Sequence, residues 1–258
     1  MALPGFVEIK IDCYSAGSIR PGKLAVNTEY PVAMFVNGRH LSTIACSGDE
    51  IEKLAVGYLF AERIIERPGQ IASFAFNEDS LTAEISLTGE AFDCDRHRPE
   101  QVMTGGGRAK KTAPDRSFVR EKIPAVHADV ICRCAGEFLH YSKLHDLTHG
   151  VHSAALYRLD GTMIVFFDEI GRHNAIDKIV GHAMMNGISL DDTILYSTGR
   201  ISSEIAGKVI HSGVPVFVSR ASPTEYAVEL LREYNVLAVC RVKADSFLVI
   251  NGKEGIIL

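Results

Sequence analysis

The chain has 258 residues, enough for one or two domains, and 47% of them are hydrophobic, enough for a substantial core. A net charge of −5 gives no general electrostatic reason to expect nucleic acid or an anionic membrane as partner, and the one basic run, Arg108–Lys111, is short. No apolar stretch approaches the ~18 residues of a membrane span, and the start lacks a basic end followed by a long apolar run, so a cytoplasmic protein without a signal peptide is expected.

Residues 1–100 read as a small α+β domain. Val32–Val36 and Ser42–Ala45 are short apolar runs around Asn37-Gly38, a hairpin signal. Asp49–Ile65 has helix chemistry, with Ser47 or Asp49 as the cap and Leu54, Tyr58, Ile64 and Ile65 as an apolar stripe. Ile71–Phe76 and Leu81–Leu87 read as two more strands. Residues 93–117 are then mostly charges, Gly, Pro and Thr without apolar periodicity, so 101–123 is assigned as a glycine-rich linker or mobile functional loop.

Residues 124–258 form the second domain. It opens with a helix over Pro124–Leu144, followed by strands Ala154–Tyr157 and Met163–Phe167 around the turn signal Asp160-Gly161. From there strand and helix alternate. The strands are Met163–Phe167, Ile194–Tyr196 and Pro215–Val218, with Val236–Val242 last. The helices begin near His173, Ser202 and Pro223, the third signed by a Ser222/Glu225 capping box with Pro223 at the first helical position. This alternation predicts an α/β fold: a mixed sheet with helices on both faces and the three helix starts at one edge.

Ligands of such sheets bind beyond the carboxyl ends of the strands, at the helix N-termini. Three turns fall there: Asp168–Asn174, Ser197–Ser203 and Ser219–Thr224, each with an arginine. Gly171-Arg172 and Gly199-Arg200 place a glycine before the guanidinium, and Ser202 adds a hydroxyl, so the turns predict an anion cradle for a phosphate or nucleotide. Turn-shaping glycines and solvated arginines are the plainer alternative. His173 and Asp177 lie four apart and share a helix face, as an oriented imidazole or a surface pair, and Lys178 reads as a solvated charge unless the site folds over it.

Three other features suggest chemistry. His145, His149 and His152 invite a zinc reading, but His152 is followed by Ser153-Ala154 and no Cys-x-x-Cys exists, so the glutamate and two ligands of a zinc deaminase are missing and no metal is expected. Thr104–Thr112 resembles a phosphate-binding loop but carries Lys110 where glycine is required, so a nucleotide triphosphatase is rejected; its triple glycine still suits a loop closing on a ligand. The six cysteines, Cys13, Cys46, Cys94, Cys132, Cys134 and Cys240, read as free thiols; Cys132-x-Cys134 fits a metal, a persulfide or simply two small helix residues.

Several segments, in order, resemble the formate dehydrogenase accessory protein family (FdhD/NarQ). They are Glu29–Val32 with Val36–Gly38, Leu54–Phe60 with Glu62–Ile65, Thr148–Ala155, Asp168–Lys178, Gly199–Glu204, and Ser222–Thr224 through Ala227–Leu230. The resemblance implies a three-layer cytidine-deaminase-like core with the smaller N-terminal α+β domain appended, as a homodimer. It also implies that the chain passes sulfur from a cysteine desulfurase to Mo-bis-molybdopterin guanine dinucleotide before that cofactor enters formate dehydrogenase. The implied cofactor-binding residues are Val242, Lys243, Ala244, Asp245, Ser246 and Phe247, with His152, Gly171, Arg172, His173, Asp177, Lys178, Gly199, Arg200 and Ser202. The family carries persulfide on a loop of the type Thr-Gly-Cys-Gly-x-Cys-Gly. Here that loop matches Thr104, Gly105, Gly106, Gly107 and Ala109, with Gly106 and Ala109 at the two cysteine positions, and neither can form a thiolate. Two readings therefore stand: a sulfur-transfer factor using another cysteine, or a non-catalytic protein that binds and delivers the cofactor or a guanine nucleotide.

Overall fold

The structure is a computed structural model, and it describes residues 3–88, 101–102 and 114–258. The glycine segment Thr104–Thr112 with Gly106 and Ala109, the basic run Arg108–Lys111 and Cys94 lie outside the described residues. The chain begins with a two-stranded antiparallel ribbon, β1 (Phe6–Ser15) and β2 (Ser18–Asn27), which joins no other sheet among the described residues.

A five-stranded sheet follows. Its strands are β3 (Tyr30–Val36), β4 (Arg39–Cys46), β5 (Ile71–Asn77), β6 (Thr82–Leu87) and β7 (Gln101–Val102), in spatial order β5-β6-β3-β4-β7. Asn37 and Gly38 both adopt positive φ, 50° and 76°, the conformation a tight hairpin between β3 and β4 requires. The inner face of this sheet and helix α1 (Ile51–Ala61) enclose a core of Val32, Met34, Val36, Ile44, Leu54, Leu59 and Ile85. α1 is shorter than the expected 49–65. Its cap is Glu50, held at φ 52° with no side-chain cap bond, because Ser47 and Asp49 are engaged elsewhere.

The second half builds a six-stranded sheet in the order β10-β9-β11-β12-β13-β14. Its strands are β9 (His152–Arg158), β10 (Met163–Glu169), β11 (Thr193–Ser197), β12 (Val216–Ser219), β13 (Leu237–Cys240) and β14 (Leu248–Asn251). Strand alternation splits their side chains between two cores. Leu156, Leu195, Phe217 and Ala238 pack against α4 (Arg172–Met185), α5 (Ser203–His211) and α6 (Glu225–Glu233). Tyr157, Tyr196, Val218 and Val239 face the other way, onto α2 (Ala128–Phe138). Each fully buried Leu or Phe contributes about 1.5–3 kcal/mol. A last pair of short strands, β8 (Val126–His127) and β15 (Ile256–Ile257), runs parallel beside α2.

Two helix expectations need correction. The single helix over 124–144 is broken: α2 ends at Phe138 and α3 (Lys143–Thr148) restarts, with the Ser142 side chain accepting from His145 N at 3.0 Å. Serine is a better cap than interior residue, and here it starts a new helix. The Ser222 capping box does not form either. Pro223 bridges Ile201, and Thr224 N donates to Ile201 O at 2.9 Å, so this stretch stays extended and α6 starts after Thr224.

The halves are joined where α1 crosses α4. A Cβ on Gly57 would lie 1.9 Å from Asp177 O, and one on Gly181 2.0 Å from Lys53 O, so only glycine permits this approach. Beside the crossing Lys178, fully buried, contacts Glu169 Oε2 at 2.6 Å and Asp49 Oδ1 at 2.8 Å. Glu169 Oε1 accepts from Ser47 N and Ile170 N, both at 2.8 Å, and Asn174 Nδ2 donates to Ala45 O at 2.8 Å. Lys178 is thus an interior charge and not the solvated one expected.

Candidate anion site at the strand ends

β10 and β11 are both antiparallel to β9, and β12 and β13 are parallel to β11. Four strands therefore end at one edge, where the turns into α4, α5 and α6 open, as the alternation predicted. Helix N-termini add unpaired N–H groups and a partial positive charge there.

Within this edge His152, Arg172 and Arg200 are electrostatic neighbours. Burial, then the charges of Arg172 and Arg200, hold His152 below the ordinary histidine range, so it is neutral near pH 7. Its Nδ1 lies 3.4 Å from Thr198 Oγ1, and that hydroxyl also accepts from Ser153 N at 3.0 Å. Arg172 is itself opposed by burial and by Arg200, and is supported by Glu204. Its Nε is buried without a hydrogen-bond partner among the described residues. Gly199 makes the pairing possible: a Cβ there would meet Arg172 Cβ at 2.7 Å. The Gly199 turn is locked from below, with Gly199 N donating to Ser197 Oγ (3.1 Å) and Ser219 Oγ donating to Gly199 O (2.8 Å).

His173 stands 3.1 Å from Glu204 Oε2, at an angle that makes no hydrogen bond. Burial, with Lys208, Arg172 and His152, pushes its pKa down to about 3. The expected His173–Asp177 pair does not form. Asp177 is buried and takes Lys208 Nζ on both oxygens, at 2.5 and 2.6 Å, so helix spacing placed the two on one face but a cation from α5 claimed the carboxylate.

Other expected residues spread along the edge or away from it. Ser202 caps α5, its Oγ accepting from Ile205 N at 3.4 Å. Arg220 follows β12 and is exposed. Lys243, Ala244, Asp245 and Ser246 form an exposed turn after β13, closed by Lys243 N donating to Ser246 O at 2.7 Å, while Val242 is buried and Phe247 packs on the α2 side. At about 4.8 Å per strand, β9 to β13 spans roughly 15 Å of edge. His145 and His149 stack edge to face on α3 and its cap, 5.3 Å apart, whereas His152 starts β9. Cys132 is partly exposed and Cys134 buried on α2; Arg133 between them donates to Asp160 O at 2.8 Å.

Sequence reading missed the groups that hold the site. Asp168 accepts from Ser153 Oγ at 2.6 Å and from Ser142 Oγ at 2.8 Å, tying the start of β9 to α3, and burial raises its pKa. Thr198 and Glu204 lay in segments the sequence singled out but were given no role, and Lys208 was overlooked, since their roles depend on tertiary neighbours.

Comparison with known proteins decides the relationship. The FdhD/NarQ family model matches residues 27–257. This chain belongs to the FdhD/NarQ family. Over 254 residues it is 34% identical to a protein named sulfur carrier protein FdhD from Listeria innocua, covering 96% of this chain and 97% of that one. Its namesake from Bacillus subtilis is 29% identical over 248 residues, with 94% of each chain covered. A crystal structure of a protein assigned as a formate dehydrogenase accessory protein, from Desulfotalea psychrophila, superposes with a TM-score of 0.82 at 23% identity, over 98% of this chain and 100% of that one. The mixed α/β fold with several sheets is thus shared with a solved structure.

Proposed function

We propose that this FdhD/NarQ protein is a cytoplasmic formate dehydrogenase accessory factor. Its cargo is Mo-bis-molybdopterin guanine dinucleotide, held by a guanine-nucleotide end at the Arg172–Arg200 edge while the cofactor is sulfurated for formate dehydrogenase. A cysteine desulfurase is the sulfur source in this reading, the assembly is a homodimer, and the layered sheet is of the cytidine-deaminase kind. The observation that carries the proposal is the convergence of His152, Arg172 and Arg200, with Arg172 Nε buried and unpartnered among the described residues. Arg172 and the exposed Arg200 repel each other, Glu204 offsets that on Arg172, an incoming anion would offset it further, and guanidinium forks match phosphate oxygens.

Calorimetric titration with GDP tests it. Arg172→Ala and Arg200→Ala should each weaken binding by about 1.5–3 kcal/mol, the worth of one charge-assisted bond. Phosphate beside His152 raises that group's pKa, so wild-type binding should take up protons and tighten as the pH falls from 8 to 6. Unchanged GDP affinity in both arginine variants would remove the proposal.

Binding and delivery without sulfur carriage is the second reading, and four of the six thiols favour it, the others being the exposed Cys13 and Cys94, which lies outside the described residues. Burial raises Cys46 to about 12 and Cys134 to about 11, and Cys132 and Cys240 are also raised. A persulfide carrier needs a thiol that ionises readily, and none of these four does. Incubation with a cysteine desulfurase and cysteine should leave little persulfide, and Gly106→Cys or Ala109→Cys should increase it. Loading near one sulfur per chain in the unmodified protein would return the role to a relocated cysteine.

A further inference from the structure

Helices α4 and α5 begin side by side at the strand-end edge. The Gly199 turn lies against the stem of Arg172, and the Glu204 carboxylate comes within 3.1 Å of His173 Nε2. Glu204 and His173 are each the second residue of their helix. Neither is a surface group, the His173 side chain being 15% exposed and that of Glu204 25%. An acid in the first turn suits the positive end of its own helix. That role needs only a glutamate facing solvent. This one is turned inward against α4, beside the cation that the nucleotide reading needs.

The charges around it are uneven. Arg172 is opposed by Arg200 and supported by Glu204. Lys208, one turn along α5, is held by both oxygens of Asp177. His152 and His173 are neutral near pH 7. Arg220 follows β12, one strand beyond β11, and is exposed. Two guanidinium groups and one carboxylate therefore dominate the field around Arg172. A phosphate inside a pyrophosphate diester carries one negative charge. A terminal phosphate carries nearly two at pH 8, because its second pKa is about 6. Two singly charged phosphates match two guanidinium forks. The extra charge of a terminal phosphate finds both forks already matched, and the nearby carboxylate repels it.

We propose that Glu204 is a specificity-determining residue: its carboxylate makes this edge take an internal pyrophosphate, esterified at both ends, in preference to a terminal phosphate. The proposal rests on the nucleotide reading above and names the linkage that is held. The discrimination comes from a repulsive element, which acts against the wrong ligand more than for the right one. Free guanine nucleotides end in a terminal phosphate, so they compete poorly with a cargo of the dinucleotide type.

Calorimetric titration of the full chain at pH 8 with GDP and with its β-methyl ester tests this, since the two differ by one charge and a methyl group. The unmodified protein should bind the ester about tenfold more tightly, the size of one unit repulsion across several ångströms in a partly solvated site. Glu204→Gln should tighten both ligands, GDP about tenfold more than the ester, so that the preference disappears. Glu204→Asp keeps the charge and should keep most of the preference. A capping or packing role for Glu204 would move both ligands together and leave their ratio alone. The unmodified protein also gives a readout that needs no variant. Its preference for the ester should shrink as the pH falls from 8 to 5.5 and the terminal phosphate takes up its second proton, whereas titration of His152 acts on both ligands alike. Equal affinity for the two ligands at pH 8, or an unaltered ratio in Glu204→Gln, would overturn the role of Glu204 and leave the nucleotide reading standing. Failure of both ligands to bind the unmodified protein would overturn that reading and the role with it.

Discussion

Helix α4 carries charge both along its seam and at its N-terminus, and the two regions treat it differently. In the seam against α1, Lys178 meets Glu169 and Asp49, and Asp177 meets Lys208, so each buried charge has a partner. At the N-terminus Arg172 crowds Arg200 and His152, and Glu204 is the acid acting on it. Matched charges fix how the halves dock. At the N-terminus only Glu204 acts against the repulsion between Arg172 and Arg200, and the proposed anion binding rests on that.

Breaking the seam should be the costlier change. Lys178→Met leaves Glu169 buried without its cation, so unfolding in urea should show a loss of about 3–5 kcal/mol. Gly57→Ala drives a methyl into the Asp177 carbonyl and should cost about 3 kcal/mol, as severe overpacking does. If either variant kept wild-type stability, the seam would not be the rigid joint described.

At the strand-end edge the same measurement should barely move. Arg200 is exposed, and Arg200→Ala should change stability by less than about 0.5 kcal/mol while still weakening GDP binding. Destabilisation comparable to the seam variants would erase the contrast.

The last effect is a slope rather than an offset. His173 is held at about 3 in the fold against 6.5 unfolded, so the unfolded chain binds more protons between those values. Its contribution is complete above pH 6.5 and is lost as the pH falls toward 3. His173→Gln should therefore flatten the stability profile between about pH 6.5 and 4, by at most about 1.4 kcal/mol per pH unit. An unaltered slope would show that His173 titrates normally in the folded protein.

Local signals carried the fold where neighbours in sequence are neighbours in space. Asn37-Gly38, the strand–helix alternation after Met163 and the common edge of three helix starts were legible for that reason. The first ribbon was not assigned, although Val7, Ile9 and Ile11 alternate with Glu8 and Lys10. Pro21 and Gly22 interrupt its second strand and read as breakers, yet a strand with no neighbour on its outer side tolerates a proline. Capping residues misled for a related reason: Ser47, Asp49 and Ser222 have helix-start chemistry, but tertiary partners or an extended bridge took them. Arg172 and Arg200 were placed at a common edge because the strand-end rule is topological. Asp168, Thr198 and Lys208 were not, because what they touch lies far away in the chain.

The final strand, β15, pairs with β8 at Val126 and His127, just ahead of α2. The core beneath α2 is therefore closed by a segment made long after the strand it pairs with, Ile256 against Val126. During synthesis the halves around α1 and α4 can assemble early, while α2 waits with an apolar face open until β15 has emerged. A substitution that disrupts Ile256 or Ile257 would act on that closing step, lengthening the interval in which a nascent chain is vulnerable to proteases and aggregation.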